Sequence, residues 1–290
     1  MHKGIVTRAQ GGFFEVCGDK ITRLCRARGV FKKQGIKILV GDRVLFDVIS
    51  GTEGIIQDVL PHDTVLVRPP IANISQVLIV FSIITPNLNR NLLDKMLVTV
   101  QNAGLLSRIV LTKCDLVDKK EIETVTNVYS AAGYTVLPVA VKKGIGVDSV
   151  LNVLNGHVTV FAGPSGAGKS TLANAINPEL GLRMGDISEK AGLGKHTTRH
   201  VELFHVSENT WVADAPGFSQ LDVQIPSMEL KLFFPEFESA EACAYRGCAH
   251  IDEQECGVKD AVLVGAIDKE RYESYRLMFE MIREREEHKF

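Results

Sequence analysis

The run Gly163-Pro164-Ser165-Gly166-Ala167-Gly168-Lys169-Ser170-Thr171 constrains this chain more than any other feature. It matches G-x-x-x-x-G-K-[ST] in full, with the apolar run "HVTVFA" before it and the helix-forming "KSTLANAI" after it. Strand, glycine loop and helix in that order make an anion cradle. The glycines let backbone N–H groups curl around a phosphate without Cβ clashes, and the helix start adds the positive end of its dipole. Lys169 supplies a point charge for the β- and γ-phosphates of a nucleotide, and the Ser170 hydroxyl is placed to ligate Mg2+. A chance Gly-rich turn is the alternative, and the flanking strand and helix weigh against it.

The surroundings of the loop set the fold class. From about residue 71 strand-like and helix-like runs alternate. "QVLIVFS", "SRIVLT", "TVLPV", "HVTVFA", "HVELFHV" and "TWVAD" read as strands, and "NLLDKMLVTVQNAG", "DKKEIETVTNVYSAAG" and "GVDSVLNVL" as helices. In the first helix Leu92, Leu93, Met96, Leu97 and Val100 share one face, and Gly104 stops it. Such alternation predicts a mostly parallel sheet covered by helices on both faces. Residues 1–66 have another grammar. "GGFFEVC", "ITRLCRA", "RVLFDVI" and "EGIIQDVL" are short β-rich runs with no helix pattern among them. About five strands in so short a stretch predict a small barrel, with an OB-fold the obvious candidate and another barrel or sandwich the alternative. From about 223 the pattern is mixed and ends in the charged helix "DKERYESYRLMFEMIREREEHKF", whose Tyr272, Tyr275, Phe279 and Ile282 share a face and are expected to pack. The expected domains are therefore 1–66, 67–222 and 223–290.

Thr112-Lys113-Cys114-Asp115 follows the strand "SRIVL" and reads as a guanine reader. A carboxylate there accepts from both N1–H and N2–H of guanine, a pair that adenine cannot make, and the Lys113 stem can lie along the base. A solvated turn is the alternative for so short a match. Further on, "PVAVKKG" follows another strand, and backbone N–H groups near Ala140 and Val141 are in a position to meet guanine O6. After the phosphate loop come "KHTTRH", where Thr198, with Thr197 close behind, is the candidate for Mg2+, and "DAPGF", which fits D-x-x-G. Asp214 of that motif would hold Mg2+ through water, and the Gly217 N–H would face the γ-phosphate. In an ordinary GTPase the phosphate loop precedes the base reader. One cut and one rejoining of that order produces the series seen here, and circular permutation leaves every loop at the carboxyl end of its strand. The residue after Gly217 is Phe218, which cannot orient water. His196, beside the switch threonines, is the natural substitute as catalyst, with an exposed loop histidine as the alternative.

Cys243, Cys248, His250 and Cys256 supply three thiolates and one imidazole within a short span. That is a complete tetrahedral set for structural zinc with no open catalytic position, and in a reducing compartment such a cluster favours a metal over disulfides. Unrelated thiols are the alternative. The net charge of −2 excludes a polycation, so any nucleic-acid surface must come from local segregation. Eight basic residues (Lys20, Arg23, Arg26, Arg28, Lys32, Lys33, Lys37 and Arg43) face only one acid, Asp42, between positions 20 and 43. A basic face on an OB-like barrel suits RNA phosphates, and Phe13, Phe14 and Phe31 are either stacking platforms or, as expected here, core. No signal-like start and no apolar run near membrane-spanning length is present, so a cytoplasmic protein without a membrane partner is expected.

With these motifs in this order the chain resembles the circularly permuted, ribosome small-subunit-dependent GTPases of the RsgA type. The resemblance covers nearly the whole chain, through "GGFFEVC", "CRARGVFKKQGIKILVGDRV", "RPPIANISQVLIVFS", the five nucleotide motifs, "CAYRGCAHIDEQECGVKDAV" and "RYESYRLM". It implies an N-terminal OB-fold barrel, a central circularly permuted P-loop α/β GTPase domain and a C-terminal helical zinc-binding domain. It implies GTP and GDP as ligands, with Mg2+ and one structural Zn2+. It implies the small ribosomal subunit and its rRNA as partners in late subunit maturation, and it supports His196 in the H-T-T context. The chain departs from the family in two places: Ala140-Val141-Lys142 stands where Ser-Ala-Lys is common, and Arg199 where a third Thr is frequent. It is expected to act as a monomer.

Overall fold

The N-terminal strands close on themselves. In the computed structural model, which describes residues 1–67, 70–178, 201–214 and 223–288, the chain begins with β1 (His2–Gln10), β2 (Phe13–Gly18), β3 (Ile21–Ala27), α1 (Gly29–Lys33), β4 (Arg43–Val48) and β5 (Glu53–Val59). The strands follow the order β1-β2-β3-β5-β4, and β4 pairs again with β1, so no edge is left open. All neighbours are antiparallel except β3 and β5, which run parallel from Leu24↔Glu53 to Ala27↔Ile56. The period of two turns Val6, Val16, Cys25, Val44, Phe46 and Ile56 inward, where Phe31 of α1 and Ile38 complete the core. The N-terminal region is thus an OB-like barrel.

Three details differ from the sequence reading. The strand His2–Gln10 lies outside the four β-rich runs of the sequence, and α1 is too short for a helical period to show. Arg23 is buried rather than part of a basic face: it donates to the Gly18 carbonyl at 3.3 Å and lies 5.8 Å from the Phe46 ring. Of the three phenylalanines Phe31 is core and Phe14 half-buried, but Phe13 is exposed with the Arg26 guanidinium 4.9 Å from its ring centre. Phe13 has the opposite parity on β2 to the inward-facing Val16, which is why it points out.

The remaining elements are β6 (Val65–Val67), β7 (Pro70–Ala72), β8 (Gln76–Ser82), α2 (Arg90–Asn102), β9 (Leu106–Thr112), α3 (Lys119–Ala131), β10 (Thr135–Pro138), α4 (Val147–Leu154), β11 (Val158–Ala162), α5 (Lys169–Ile176), β12 (Glu202–Ser207), β13 (Thr210–Asp214), α6 (Gly257–Leu263) and α7 (Lys269–Glu287). The chain divides into two compact units, one of residues 1–78, 147–165 and 169–219, the other of 79–146, 166–168 and 220–290.

In the first unit β11 runs parallel to β13 with Phe161 opposite Asp214, and β12 runs antiparallel to β13. β12 also meets β1 at Glu202↔Arg8, so a barrel strand continues the sheet that carries the phosphate loop. The buried Gln76 side chain donates to the Val153 carbonyl at 2.7 Å and to Thr159 Oγ1 at 2.8 Å, tying the start of β8 to α4 and β11.

The second unit holds β10, β9 and β8 in that order, with β9 and β10 parallel. Its C-terminal part holds α6, α7 and two short 3-10 helices, Ser227–Phe233 and Pro235–Ser239. Tyr272, Tyr275, Met278, Phe279 and Ile282 of α7 pack with Leu230, Phe234, Phe237 and Val98 of α2, as the shared face predicted for the tyrosines, Phe279 and Ile282.

Candidate nucleotide site and metal centre

The phosphate loop bridges β11 and α5, as its sequence requires. Lys169 opens α5, is buried, and donates from Nζ to the Gly163 and Pro164 carbonyls at 2.9 and 2.7 Å. Ser170 follows it and is also buried. The turn depends on Gly168, which has a φ of 92° and whose added Cβ would lie 3.3 Å from Thr112 Oγ1.

In the second unit the base-reader segment grips the crest of this loop. The Thr112 hydroxyl donates to the Ala167 carbonyl at 2.6 Å. Lys113 adopts a left-handed φ of 59° and donates from Nζ to the Gly166 carbonyl at 3.0 Å and to the Thr85 carbonyl. Thr112 and Lys113 thus do structural work that goes beyond a contact with a base. The Cys114 N–H bonds the Val139 carbonyl at 3.2 Å, which sets the turn against the end of β10, and burial pushes the Cys114 thiol up. Asp115 is largely covered, with the Lys143 ammonium 4.0 Å away.

The loop after β10 separates its two candidate donors. The Ala140 N–H bonds the Ile145 carbonyl at 2.9 Å and is taken up within the loop. The Val141 N–H makes no hydrogen bond among the described residues. The strand pattern alone left the two equivalent.

Of the switch candidates, Asp214 ends β13 level with Phe161, one residue before the last of β11. That register places the Asp214 backbone at the same end of the sheet as the end of β11 that leads into the phosphate loop. His196, Thr197, Thr198, Gly217 and Phe218 lie outside the described residues.

Cys243, Cys248, His250 and Cys256 converge, with all four ligand atoms within 4.8 Å of one another. The Cys243 and Cys256 sulfurs are 3.8 Å apart, and His250 Nδ1 is 3.5 Å from the first and 3.3 Å from the second. Ligands at zinc distances on a tetrahedron stand about 3.3–3.8 Å from one another, so this donor set fits zinc. The supports come from three sides. Tyr272 donates to the His250 carbonyl at 2.7 Å, Tyr275 donates to the Ala249 carbonyl, and the Phe237 ring meets the imidazole edge to face at 5.5 Å. At Gly257 a Cβ would stand 1.9 Å from the Glu241 carbonyl oxygen, so only glycine lets α6 start beside Cys256.

One buried cluster escaped the sequence reading altogether. Arg271 of α7 donates from Nη1 to Asp94 of α2 at 2.6 Å and from Nε and Nη2 to Glu236 at 2.7 and 2.9 Å. Its guanidinium also lies 4.8 Å from the Phe234 ring centre and 5.3 Å from that of Tyr129. Burial works against the arginine's charge, and the two carboxylates outweigh it, holding its pKa above the usual value. No local spacing announces the cluster, because Asp94 and Arg271 are 177 positions apart.

Residues 59–224 match the family model for the RsgA GTPase, and residues 3–56 match that for the RsgA N-terminal domain. The chain belongs to the RsgA GTPase family. Over 290 residues it is 46% identical to a protein named small ribosomal subunit biogenesis GTPase RsgA from Geobacillus sp. (strain WCH70), covering 98% of this chain and 99% of the relative. A relative of the same name from Caldanaerobacter subterraneus is 39% identical, covering 99% and 98%. Among solved structures, YjeQ from Thermotoga maritima superposes with a TM-score of 0.80 at 34% identity, covering 97% of this chain and 98% of that one. YloQ, described as a circularly permuted GTPase, does so with 0.77 at 34%, covering 98% and 96%. As a member of the RsgA GTPases the chain binds guanine nucleotide and hydrolyses GTP, and the reversed motif order is the family's permutation. Among the described residues no helix is long and apolar enough to cross a membrane.

Proposed function

We propose that this GTPase binds the small ribosomal subunit and its rRNA and hydrolyses GTP in the subunit's late maturation, with hydrolysis stimulated by the subunit. The observation that carries the proposal is the end-to-end match to relatives named for small-subunit biogenesis. The protein works in the cytoplasm as a monomer, with no membrane partner. Its barrel spans 1–66, its GTPase domain 67–222 and its zinc-binding domain 223–290.

In this reading the residues from Gly163 to Thr171 hold the phosphates. Lys169 bridges the β- and γ-phosphates, and Ser170, Thr198 and Asp214 hold Mg2+, which neutralises charge on the transferring phosphoryl group. Asp115 reads guanine N1–H and N2–H, and Val141, whose N–H is not taken up within its own loop, meets O6. Gly217 contacts the γ-phosphate, and His196 orients the attacking water in place of the glutamine that Phe218 replaces. Cys243, Cys248, His250 and Cys256 hold one structural zinc. With the water activator on a switch segment, turnover of the protein alone is expected to be slow.

GTP turnover measured alone, with small subunits and with large subunits tests the proposal. Strong stimulation by small subunits only is the expected result. Equal turnover in all three conditions would sink it. In the same assay His196→Ala should lower stimulated turnover far more than GTP affinity, and Asp115→Ala should lower the preference for GTP over ATP.

A further inference from the structure

A cleft of about 1130 Å³ opens in the first unit, walled on one side by the barrel and on the other by the β12–β13 hairpin. It is at or above the roughly 300–1000 Å³ common for ligand sites. The nucleotide-binding loop contributes no residue to it. We infer that this cleft is a binding site for an unpaired nucleotide of an RNA strand, with the base against Trp211 and the flanking phosphates on Lys3 and Lys20.

The hairpin wall presents Trp211 and His205, whose rings meet edge to face at 4.9 Å. An indole is a sequence-tolerant platform for a base, because every base offers a π-face. The barrel wall presents Lys3 from β1 and Lys20 from the β2–β3 turn. That turn has positive φ at both Asp19 (53°) and Lys20 (62°), the geometry of a tight two-residue hairpin, so Lys20 is carried on a rigid support.

The charges of the cleft sort themselves. Asp19 is engaged by His2 Nδ1 at 2.9 Å. Arg43 is engaged by Asp63 and by Asn73 Oδ1, the latter at 2.8 Å. The Lys3 and Lys20 side chains make no hydrogen bond or ion pair among the described residues, so two uncommitted lysines line the cleft. Glu208 stands on the hairpin side, which leaves the barrel side as the phosphate wall. An aromatic platform opposite free cations fits a base and its phosphates, and single-stranded RNA presents both together. The inference deepens the RNA-partner reading above and rests on it.

Trp211 is the chain's one tryptophan, so its fluorescence reports this cleft alone. The full chain, saturated with GDP and Mg2+ to occupy the nucleotide site, is titrated with single-stranded octaadenylate, with a duplex of the same length and with AMP. Quenching by the single strand, weakened by added salt as phosphate contacts require, is the expected result. Lys3→Ala/Lys20→Ala should weaken the quench about tenfold or more, and Trp211→Phe should retain anisotropy-detected binding that Trp211→Ala loses. Oligonucleotide binding that leaves Trp211 fluorescence unchanged, or quenching unaffected by the lysine pair, would overturn the site. Equal quenching by the duplex or by AMP would overturn the unpaired RNA strand as its occupant. Small-subunit binding by the unaltered protein, run alongside, separates failure of this cleft from failure of the ribosome reading.

Discussion

The barrel and the C-terminal region solve the same problem with different bonds. The barrel is a closed ladder of backbone hydrogen bonds around aliphatic and aromatic side chains. The C-terminal region has two α-helices and two short 3-10 helices among the described residues, and side-chain chemistry holds much of it: four convergent residues able to hold a metal, a buried arginine between two carboxylates, and tyrosine hydroxyls on the Ala249 and His250 carbonyls. Backbone ladders tolerate small changes to a side chain, since the hydrogen bonds do not pass through it. Side-chain networks lose an entire linkage when one residue changes. The C-terminal region also has an apolar core, in which α7 packs on Leu230, Phe234 and Phe237, but few backbone ladders, so these side-chain linkages fix what a sheet would otherwise fix.

The strongest way to break the contrast is to remove the metal. Chelation at neutral pH should unfold residues 223–288 while the barrel stays folded, since structural zinc contributes on the order of 10 kcal/mol in small domains. Limited proteolysis before and after chelation reads it out, and equal protection of both regions would remove the metal from the fold's support. One zinc per chain by elemental analysis should accompany the untreated state.

Arg271→Met comes next. It leaves Asp94 and Glu236 buried without their cation, and denaturant unfolding should show a loss of about 3–5 kcal/mol. Asp94→Asn with Arg271→Met should recover part of that loss, because one unpaired charge goes.

A smaller effect is expected at the start of α7. The Asp268 side chain accepts from the Arg271 N–H, so Asp268→Ala should cost about 1 kcal/mol in the same measurement. The smallest change belongs to the barrel. Ile56→Val removes one methylene from a closed apolar core and should cost about 0.5–1.5 kcal/mol, with no effect on zinc content. A barrel change as costly as the Arg271 change would erase the distinction.

What could be read without coordinates was local or periodic. The Gly-rich loop lies between a strand and a helix because Gly163 to Thr171 carry their own backbone and charge requirements in contiguous residues. The alternation from β8 to β13 follows from runs long enough to show a period, and α1 was missed because five residues are not. The permutation was legible because it is an order of motifs, and an order survives without distances.

What only the tertiary structure decided lies between residues remote in sequence. Nothing near Asp94 predicts Arg271, nothing near Thr112 predicts that its hydroxyl bonds Ala167, and nothing near Lys20 predicts Trp211 in the same cleft. The exchange of the Ala140 and Ile145 backbone bonds, which distinguishes Val141 from Ala140, is likewise a product of loop closure. The physical reason is common to the three remote pairs. Propensity, periodicity and loop chemistry act over a few residues, whereas a buried charge or a free donor is defined by what the fold brings against it.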